Sequence, residues 1–290
     1  MTKTAWVFPG QGAQTVGMGA DLTDVAAATL AEAEQILGKS VLEIVQNQDL
    51  LNDTRYTQPC LYVVECALAD LLIAQGQKPD IVAGHSLGEY SALYVAGVFD
   101  FAAGLQLVKR RALLMSEASE GAMAALMGFN RDELDAKIAE TEGVVLANDN
   151  NASQVVISGT PEAVDEVVAG IKTKRAVKLN VSGAFHSPLM ANAAKAFSSV
   201  LNDVPFNDAA IPVMSNVDPA PETSAAVLKE RLAQQMTGSV RWREISLELP
   251  TQGVETVVEI GPGKVLTGLI KRTCKGLDLQ NVASVGDAQL

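Results

Sequence analysis

The stretch Gly84-His85-Ser86-Leu87-Gly88 sets a serine between two glycines. A Gly-x-Ser-x-Gly turn between a strand and a helix is a nucleophile elbow: the backbone bends too sharply for side chains at the flanking positions, and the hydroxyl stands beside the free N–H groups of the helix start. The competing reading is a tight βα turn of small residues in which Ser86 only caps the helix. Context favours the elbow. Ile81-Val82-Ala83 is a short apolar run after Pro79-Asp80, and Leu87, Tyr90, Leu93 and Tyr94 recur at the helical spacings of three and four.

A serine hydroxyl is a weak nucleophile at neutral pH and needs a base, usually histidine. The chain has two histidines, His85 and His186. His85 adjoins Ser86, so its side chain should leave the turn in another direction. His186 lies in Gly183-Ala184-Phe185-His186-Ser187-Pro188, at the return of an inserted segment to the larger domain, a natural cleft edge. It is the candidate base; the other reading is a residue that merely precedes a helix. In α/β-hydrolases the histidine follows the acid and comes after the last strands, whereas here at least two strands follow His186. Asp149 is one candidate orienting group and a backbone carbonyl the other; a Ser–His dyad is favoured.

An oxyanion needs two preorganised donors. The N–H of Leu87, next after the serine, is one candidate. The loop Gly10-Gln11-Gly12, just after the first strand, supplies the second; it lacks the spacing of a dinucleotide or phosphate-binding loop. Arg110 and Arg111 lie mid-helix, and one of them facing the cleft would offer a fixed fork for a substrate carboxylate.

The elements that must position these groups read as follows. Thr4 to Phe8 is a strand ended by Pro9. Leu22 to Leu37 is a helix closed by Gly38, and Pro59 to Ala74 a helix with proline in its first turn. The Ile81–Gly84 strand, the Ser86 helix and a helix capped by Asp100 and reaching about Ser116 follow. Residues 122–183 have their own pattern: strand Met123–Gly128, helix Arg131–Thr141, strands Val144–Asn148 and Gln154–Ser158 around the turn-rich Asp149-Asn150-Asn151, helix Pro161–Ile171, strand Arg175–Val181. That βαββαβ order is ferredoxin-like. Helix Pro188–Leu201, strand Val213–Val217, helix Ser224–Gln235, strand Val254–Ile260 and helix Lys264–Arg272 complete the chain. The expected fold is α/β: a large α/β-hydrolase-like domain with a parallel sheet, residues 1–121 and 184–290, with an inserted ferredoxin-like subdomain, residues 122–183.

At 290 residues and 48% hydrophobic content the chain can bury a sizeable core. A formal charge of −12 argues against nucleic acid or anionic membrane as partners. No run of 18 apolar residues and no signal-peptide core is present, so neither a membrane span nor secretion is expected. Cys60, Cys66 and Cys274 have no zinc-ligand spacing, so no metal site is expected, and a reduced cytoplasm is the natural compartment.

Taken together, Phe8-Pro9-Gly10-Gln11-Gly12, Gly84-His85-Ser86-Leu87-Gly88-Glu89, Arg111-x-x-x-Met115, Asn148-x-Asn150 before Gln154 to Gly159, Ala184-Phe185-His186-Ser187, Ser215-Asn216-Val217 and Glu259 to Leu266 resemble the malonyl-CoA:acyl carrier protein transacylases of fatty acid synthesis. The resemblance covers nearly the whole chain. It implies that Ser86 takes malonyl from malonyl-CoA and passes it to the phosphopantetheine thiol of acyl carrier protein, with His186 as base. It also implies oxyanion donors at the Gln11 and Leu87 N–H groups, Arg111 rather than Arg110 on the malonyl carboxylate, and Gln235 orienting His186 through its carbonyl. The Ala184-Phe185-His186 loop looks malonyl-selecting. Ala112 stands where many members of the family have glycine.

Malonyl-CoA is then a substrate, no cofactor is expected, and the chain is read as a monomer. Acyl carrier protein is acidic like this chain, so docking would need a local basic patch: Lys172, Lys174, Arg175 and Lys178, or Lys264, Lys271, Arg272 and Lys275. The alternatives are a serine hydrolase of small acyl esters, an acyltransferase of polyketide assembly, and a non-catalytic module keeping the fold.

Overall fold

Ala5, Trp6, Val7 and Phe8 are all buried, because strand β1 (Lys3–Phe8) runs through the middle of a sheet covered on both faces. The computed structural model describes residues 3–118, 121–181 and 183–289. Met1, Thr2, Ser119, Glu120, Ser182 and Leu290, which the expected domain limits include, lie outside the described residues.

From β1 the chain passes through helices α1 (Ala27–Leu37), α2 (Val41–Gln46), α3 (Gln48–Asn52) and α4 (Thr54–Ala74) to β2 (Ile81–Gly84), then α5 (Gly88–Val95) and α6 (Phe101–Glu117). The smaller unit follows: β3 (Ala122–Phe129), α7 (Arg131–Glu140), β4 (Val144–Asn151), β5 (Gln154–Gly159), α8 (Pro161–Gly170) and β6 (Thr173–Lys178). Its four strands pair antiparallel in the order β4-β5-β3-β6. Leu126, Leu134, Val155, Ile157 and Val164 form a core of its own. The larger unit resumes with α9 (Ala191–Asp203), β7 (Val213–Met214), α10 (Ala225–Gln235), α11 (Trp242–Thr251), β8 (Val254–Ile260), α12 (Val265–Thr273) and β9 (Asp278–Val282).

Its five strands are parallel in the order β7-β2-β1-β8-β9. Alternation along β1 sends Trp6 and Phe8 to one face, toward α4, α5 and α6, and Ala5 and Val7 to the other, toward α11 and α12. Strand order reverses beside β1, and open α/β sheets place ligands in the crevice outside the strand ends at such a reversal. Pro9, His85, Ser215 and Gly261 each follow a strand end there.

Several boundaries differ from the sequence reading. Helix α4 starts at Thr54 rather than Pro59: Asp53 caps it by accepting the Arg55 N–H, and Pro59 lies inside, at the cost of one backbone hydrogen bond. By length and composition α4 would pass for a membrane span, yet 78% of the qualifying window is buried in protein, since it is the central helix of the large core. Helix α1 starts at Ala27 rather than Leu22, after a 3-10 turn at Ala20–Leu22. Asp149, Asn150 and Asn151 are not a turn but the buried end of β4, and β7 is only two residues long. Helices α2, α3 and α11 and strand β9 had no sequence counterpart.

The two units share backbone hydrogen bonds. Val240 N–H donates to Ala147 O at 2.8 Å, and Asp149 N–H to Val240 O at 2.9 Å, so the outer edge of β4 is anchored to the larger unit. Close backbone packing also governs the start of α5: a Cβ on Gly88 would stand 2.0 Å from Phe8 O and 2.7 Å from Pro9 O. Gly88→Ala should therefore lower stability by at least about 1–3 kcal/mol, read from chemical denaturation. A variant as stable as the parent would show that α5 does not press on the end of β1.

Candidate active site

Ser86 has φ 54°, a left-handed backbone that few non-glycine residues adopt. It can turn so sharply because both neighbours lack a side chain: a Cβ on Gly84 would meet the Gly88 carbonyl carbon at 1.9 Å. The bend is held from outside. Asn216, two residues past β7, donates through Nδ2 to Gly84 O at 2.6 Å and accepts the Ser86 N–H on Oδ1 at 2.7 Å. Gln235, the last residue of α10, donates through Nε2 to Ser86 O at 2.8 Å. Gly84 O, the Ser86 N–H and Ser86 O thus all have side-chain partners.

His186 is the other non-glycine residue with positive φ among the described residues, 57°. Its Nε2 lies 2.8 Å from Ser86 Oγ. Its Nδ1 faces two carbonyl oxygens, Gln235 O at 2.9 Å and Gly238 O at 3.2 Å. Both accept, so Nδ1 carries the hydrogen and Nε2 is free to accept the serine proton. Burial, and next the Arg111 charge, push His186 down to about 3. Asp149 is not the orienting group; it pairs with Arg243 at 2.9 Å and Arg131 at 3.1 Å. His85 leaves the turn on the other side, where Nε2 meets Asn150 Oδ1 at 2.9 Å and the ring lies 5.6 Å from that of Trp242.

Arg111 is only 1% exposed. Its guanidinium donates to Gln58 Oε1 at 2.6 Å, Ser86 Oγ at 3.0 Å and Gln235 Oε1 at 3.1 Å, and it lies 5.5 Å over the Tyr90 ring. Its Nε–H is buried without a partner among the described residues. Arg110, one residue earlier, lines a separate surface hollow with Ile36 and Lys109. The Gln11 loop reaches the elbow because Gly10 packs on it, a Cβ there falling 2.4 Å from His85 O. Neither the Gln11 nor the Leu87 N–H donates to a protein group among the described residues, and both residues line the cavity that holds Ser86, Arg111 and His186.

The six residues singled out from sequence thus meet at one cavity or, for Gln235, directly behind it. Sequence reasoning gave no role to Asn216, Gln58 or Glu89. Gln58 gave no signal, since it lies among polar residues just before Pro59, where the sequence reading starts the helix; Asn216 and Glu89 stood in quoted motifs, but their partners lie far off in sequence. The site combines a serine with a neutral base, two free backbone donors and a buried cation, a set suited to transfer of an acyl group that carries its own anion.

The chain is similar to known acyl transferases over nearly its whole length. A family described as acyl transferase domain matches residues 5–289. The chain is 57% identical over 288 residues, 98% of each sequence, to the malonyl CoA-acyl carrier protein transacylase of Synechocystis sp.. The crystal structure of a Synechocystis malonyl-CoA:ACP transacylase superposes with a TM-score of 0.98, at 56% identity and over 99% of both chains. A malonyl-transacylase solved in complex with its type II PKS acyl-carrier protein gives a TM-score of 0.94, at 39% identity over 99% of this chain and 98% of that one.

The depressed His186 has a thermodynamic consequence. The unfolded chain takes up a proton there near pH 6.5, the folded chain only near 3. The unfolded state therefore binds more protons between those values, and this contribution to stability is complete above about 6.5 and drains away as pH falls toward 3. Burial pulls His85 in the same direction. Urea denaturation across this window should show a shallower pH dependence for His186→Asn than for the parent. Identical slopes would mean that His186 is not held neutral by the fold.

Proposed function

The chain belongs to the acyl transferase family, among its malonyl CoA-acyl carrier protein transacylases, and on that premise we propose that it moves malonyl from CoA to acyl carrier protein through an ester on Ser86. As Ser86 Oγ attacks the thioester carbonyl, its proton passes to His186 Nε2. The C–S bond breaks, and the departing CoA sulfur takes that proton. The phosphopantetheine thiol of the carrier then gives its proton to His186 and attacks the ester carbonyl; the C–O bond breaks and Oγ regains a proton. Two half-reactions through one covalent intermediate give ping-pong kinetics.

The Gln11 and Leu87 N–H groups hold the oxyanion in each tetrahedral intermediate. Gln235 keeps the His186 tautomer through its carbonyl. The reaction as written needs no metal or redox cofactor. The observation that carries this reading is the convergence of His186 Nε2, at 2.8 Å, and a buried guanidinium, at 3.0 Å, on the same serine oxygen. A fixed cation with a spare Nε–H beside the nucleophile suits an acyl group ending in carboxylate.

The protein is read as a monomer, and the free cysteines suit the cytoplasm. Supply of malonyl to fatty acid synthesis is the first reading. Service to a polyketide carrier is the second, favoured by the likeness to the transacylase solved with its PKS carrier, and parallel transfer assays with both carriers separate them. The exposed Lys172, Lys174 and Arg175, or Lys264, Lys271, Arg272 and Lys275, are the carrier's docking candidates; Lys178 is already paired with Asp165.

Incubation with malonyl-CoA should add one malonyl group, seen by intact mass, that is absent in Ser86→Ala and leaves on addition of phosphopantetheine-bearing carrier. No adduct would sink the covalent route, and equal loss to water alone would make the protein a hydrolase. Arg111→Ala should cost malonyl transfer about 10–150-fold more than acetyl transfer, the value of one charge-assisted pair at roughly 1.5–3 kcal/mol. An equal loss for both acyl groups would remove Arg111 from the carboxylate.

A further inference from the structure

Glu89, in the first turn of α5, is 1% exposed and touches no group that reacts. One of its oxygens, Oε2, accepts two hydrogen bonds: Gln235 Nε2 at 2.7 Å and Asn216 N–H at 3.1 Å. Those are the two residues that hold the elbow backbone. Asn216 bridges Gly84 O and the Ser86 N–H, and Gln235 holds Ser86 O. A buried acceptor therefore ties the two clamps to each other.

The amide of Gln235 has a direction, which Glu89 fixes together with Ser86 O and Arg111. With Nε2 turned toward Glu89 and Ser86 O, Oε1 is left facing Arg111, from which it accepts at 3.1 Å. Turned over, Nε2 would meet the Arg111 guanidinium donor to donor, and Oε1 would meet Ser86 O and Glu89 acceptor to acceptor. Among the described residues Arg111 has no direct carboxylate partner; its acceptors are Gln58, Gln235 and Ser86, all neutral. Its placement thus rests partly on an amide whose orientation is set from behind. The backbone carbonyl of the same Gln235 holds His186 Nδ1.

We infer that Glu89 is a positioning residue of this site: by fixing the Gln235 amide and the Asn216 backbone it aims Arg111 and holds the Ser86 elbow, although it meets no substrate. This rests on the malonyl-transfer reading above, in which Arg111 receives the carboxylate. The two arms have different signatures. Asn216 bonds to the elbow, to Glu89 and to the Arg241 N–H but not to Arg111, whereas Gln235 bonds to the elbow, to Arg111 and to His186.

The test uses the full-length enzyme with Glu89→Gln, Glu89→Met and Asn216→Ala, each checked for folding by its thermal transition. The readout is the initial rate of Ser86 acylation by malonyl-CoA and by acetyl-CoA. Glu89→Met keeps the bulk but offers no comparable acceptor. It should slow malonyl acylation on the order of 100-fold, as expected for a misplaced catalytic contact, and lower the malonyl-to-acetyl ratio severalfold or more. Glu89→Gln can present its carbonyl oxygen to both donors and should recover much of both quantities. Asn216→Ala should slow both acyl groups and leave the ratio near that of the parent.

Glu89→Met with an unchanged ratio, or Glu89→Gln no better than Glu89→Met, would overturn the inference. If Glu89→Met does not fold, the comparison of Glu89→Gln with Asn216→Ala still decides, since a ratio lowered as far in Asn216→Ala as in Arg111→Ala contradicts the division of roles. Should Arg111→Ala itself leave the ratio intact, the carboxylate reading fails first, and independently of Glu89.

Discussion

Everything at this site depends on holding Ser86 at a backbone angle it would not choose. A non-glycine residue at φ 54° costs of order 1–3 kcal/mol and persists only where its surroundings over-determine it. Here they do so in two ways. From within, Gly84 and Gly88 let the backbone of α5 lie against the ends of β1 and β2, contacts that no Cβ could share. From outside, Asn216 and Gln235 hold Gly84 O, the Ser86 N–H and Ser86 O. His186 also sits at positive φ, so both partners of the Oγ···Nε2 contact are held by the fold rather than by local preference.

The second constraint is electrostatic. Arg111 carries its charge into a place where solvation is lost, which is costly unless paired. It finds only neutral acceptors directly, and its nearest balance is Glu89, reached through the Gln235 amide. Burial raises the Glu89 carboxyl, against the pull of Gln235, the Asn216 N–H, Ser215 and Arg111. The same buried cation helps to keep His186 neutral and therefore ready to accept a proton. In the proposed reaction a substrate carboxylate would relieve this imbalance, and an anionic acyl group would then have an advantage over a neutral one of the same shape.

What could be read in the sequence follows from the range of the interactions. The elbow is a local pattern, and the shortage of histidines singles out His186. The parallel sheet and the βαββαβ order followed from apolar runs and turn residues. Asp149, Asn150 and Asn151 misled because their composition is that of a turn. They lie in a buried strand end where Arg131 and Arg243 both pair with Asp149 Oδ2, His85 meets Asn150, and Asn151 accepts from Ser153 across the hairpin. The roles of Asn216 and Glu89 were equally hidden, because a side chain that braces a backbone far away leaves no periodic trace.

The insertion of the smaller unit has a mechanical meaning. It enters the chain after α6, the helix of Arg111, and leaves it just before His186, so its two connections are continuous with two elements of the site. Those connections pass against each other: a Cβ on Gly183 would stand 2.0 Å from Ala118 O, and one on Gly121 2.5 Å from Ala184 Cβ. Only residues without side chains permit so close a crossing, and the crossing ties the C-terminal end of α6 to the His186 loop. The unit is fixed again on its far side, where β4 bonds to Val240 and Asp149 meets Arg243. Met123, on β3, and Leu179 and Val181, just past β6, then form a wall of the cavity opposite the elbow. Gripped at its connections and at its outer strand, the insertion serves as a fixed wall, and the spacing of Arg111 and His186 around Ser86 is a property of both units together.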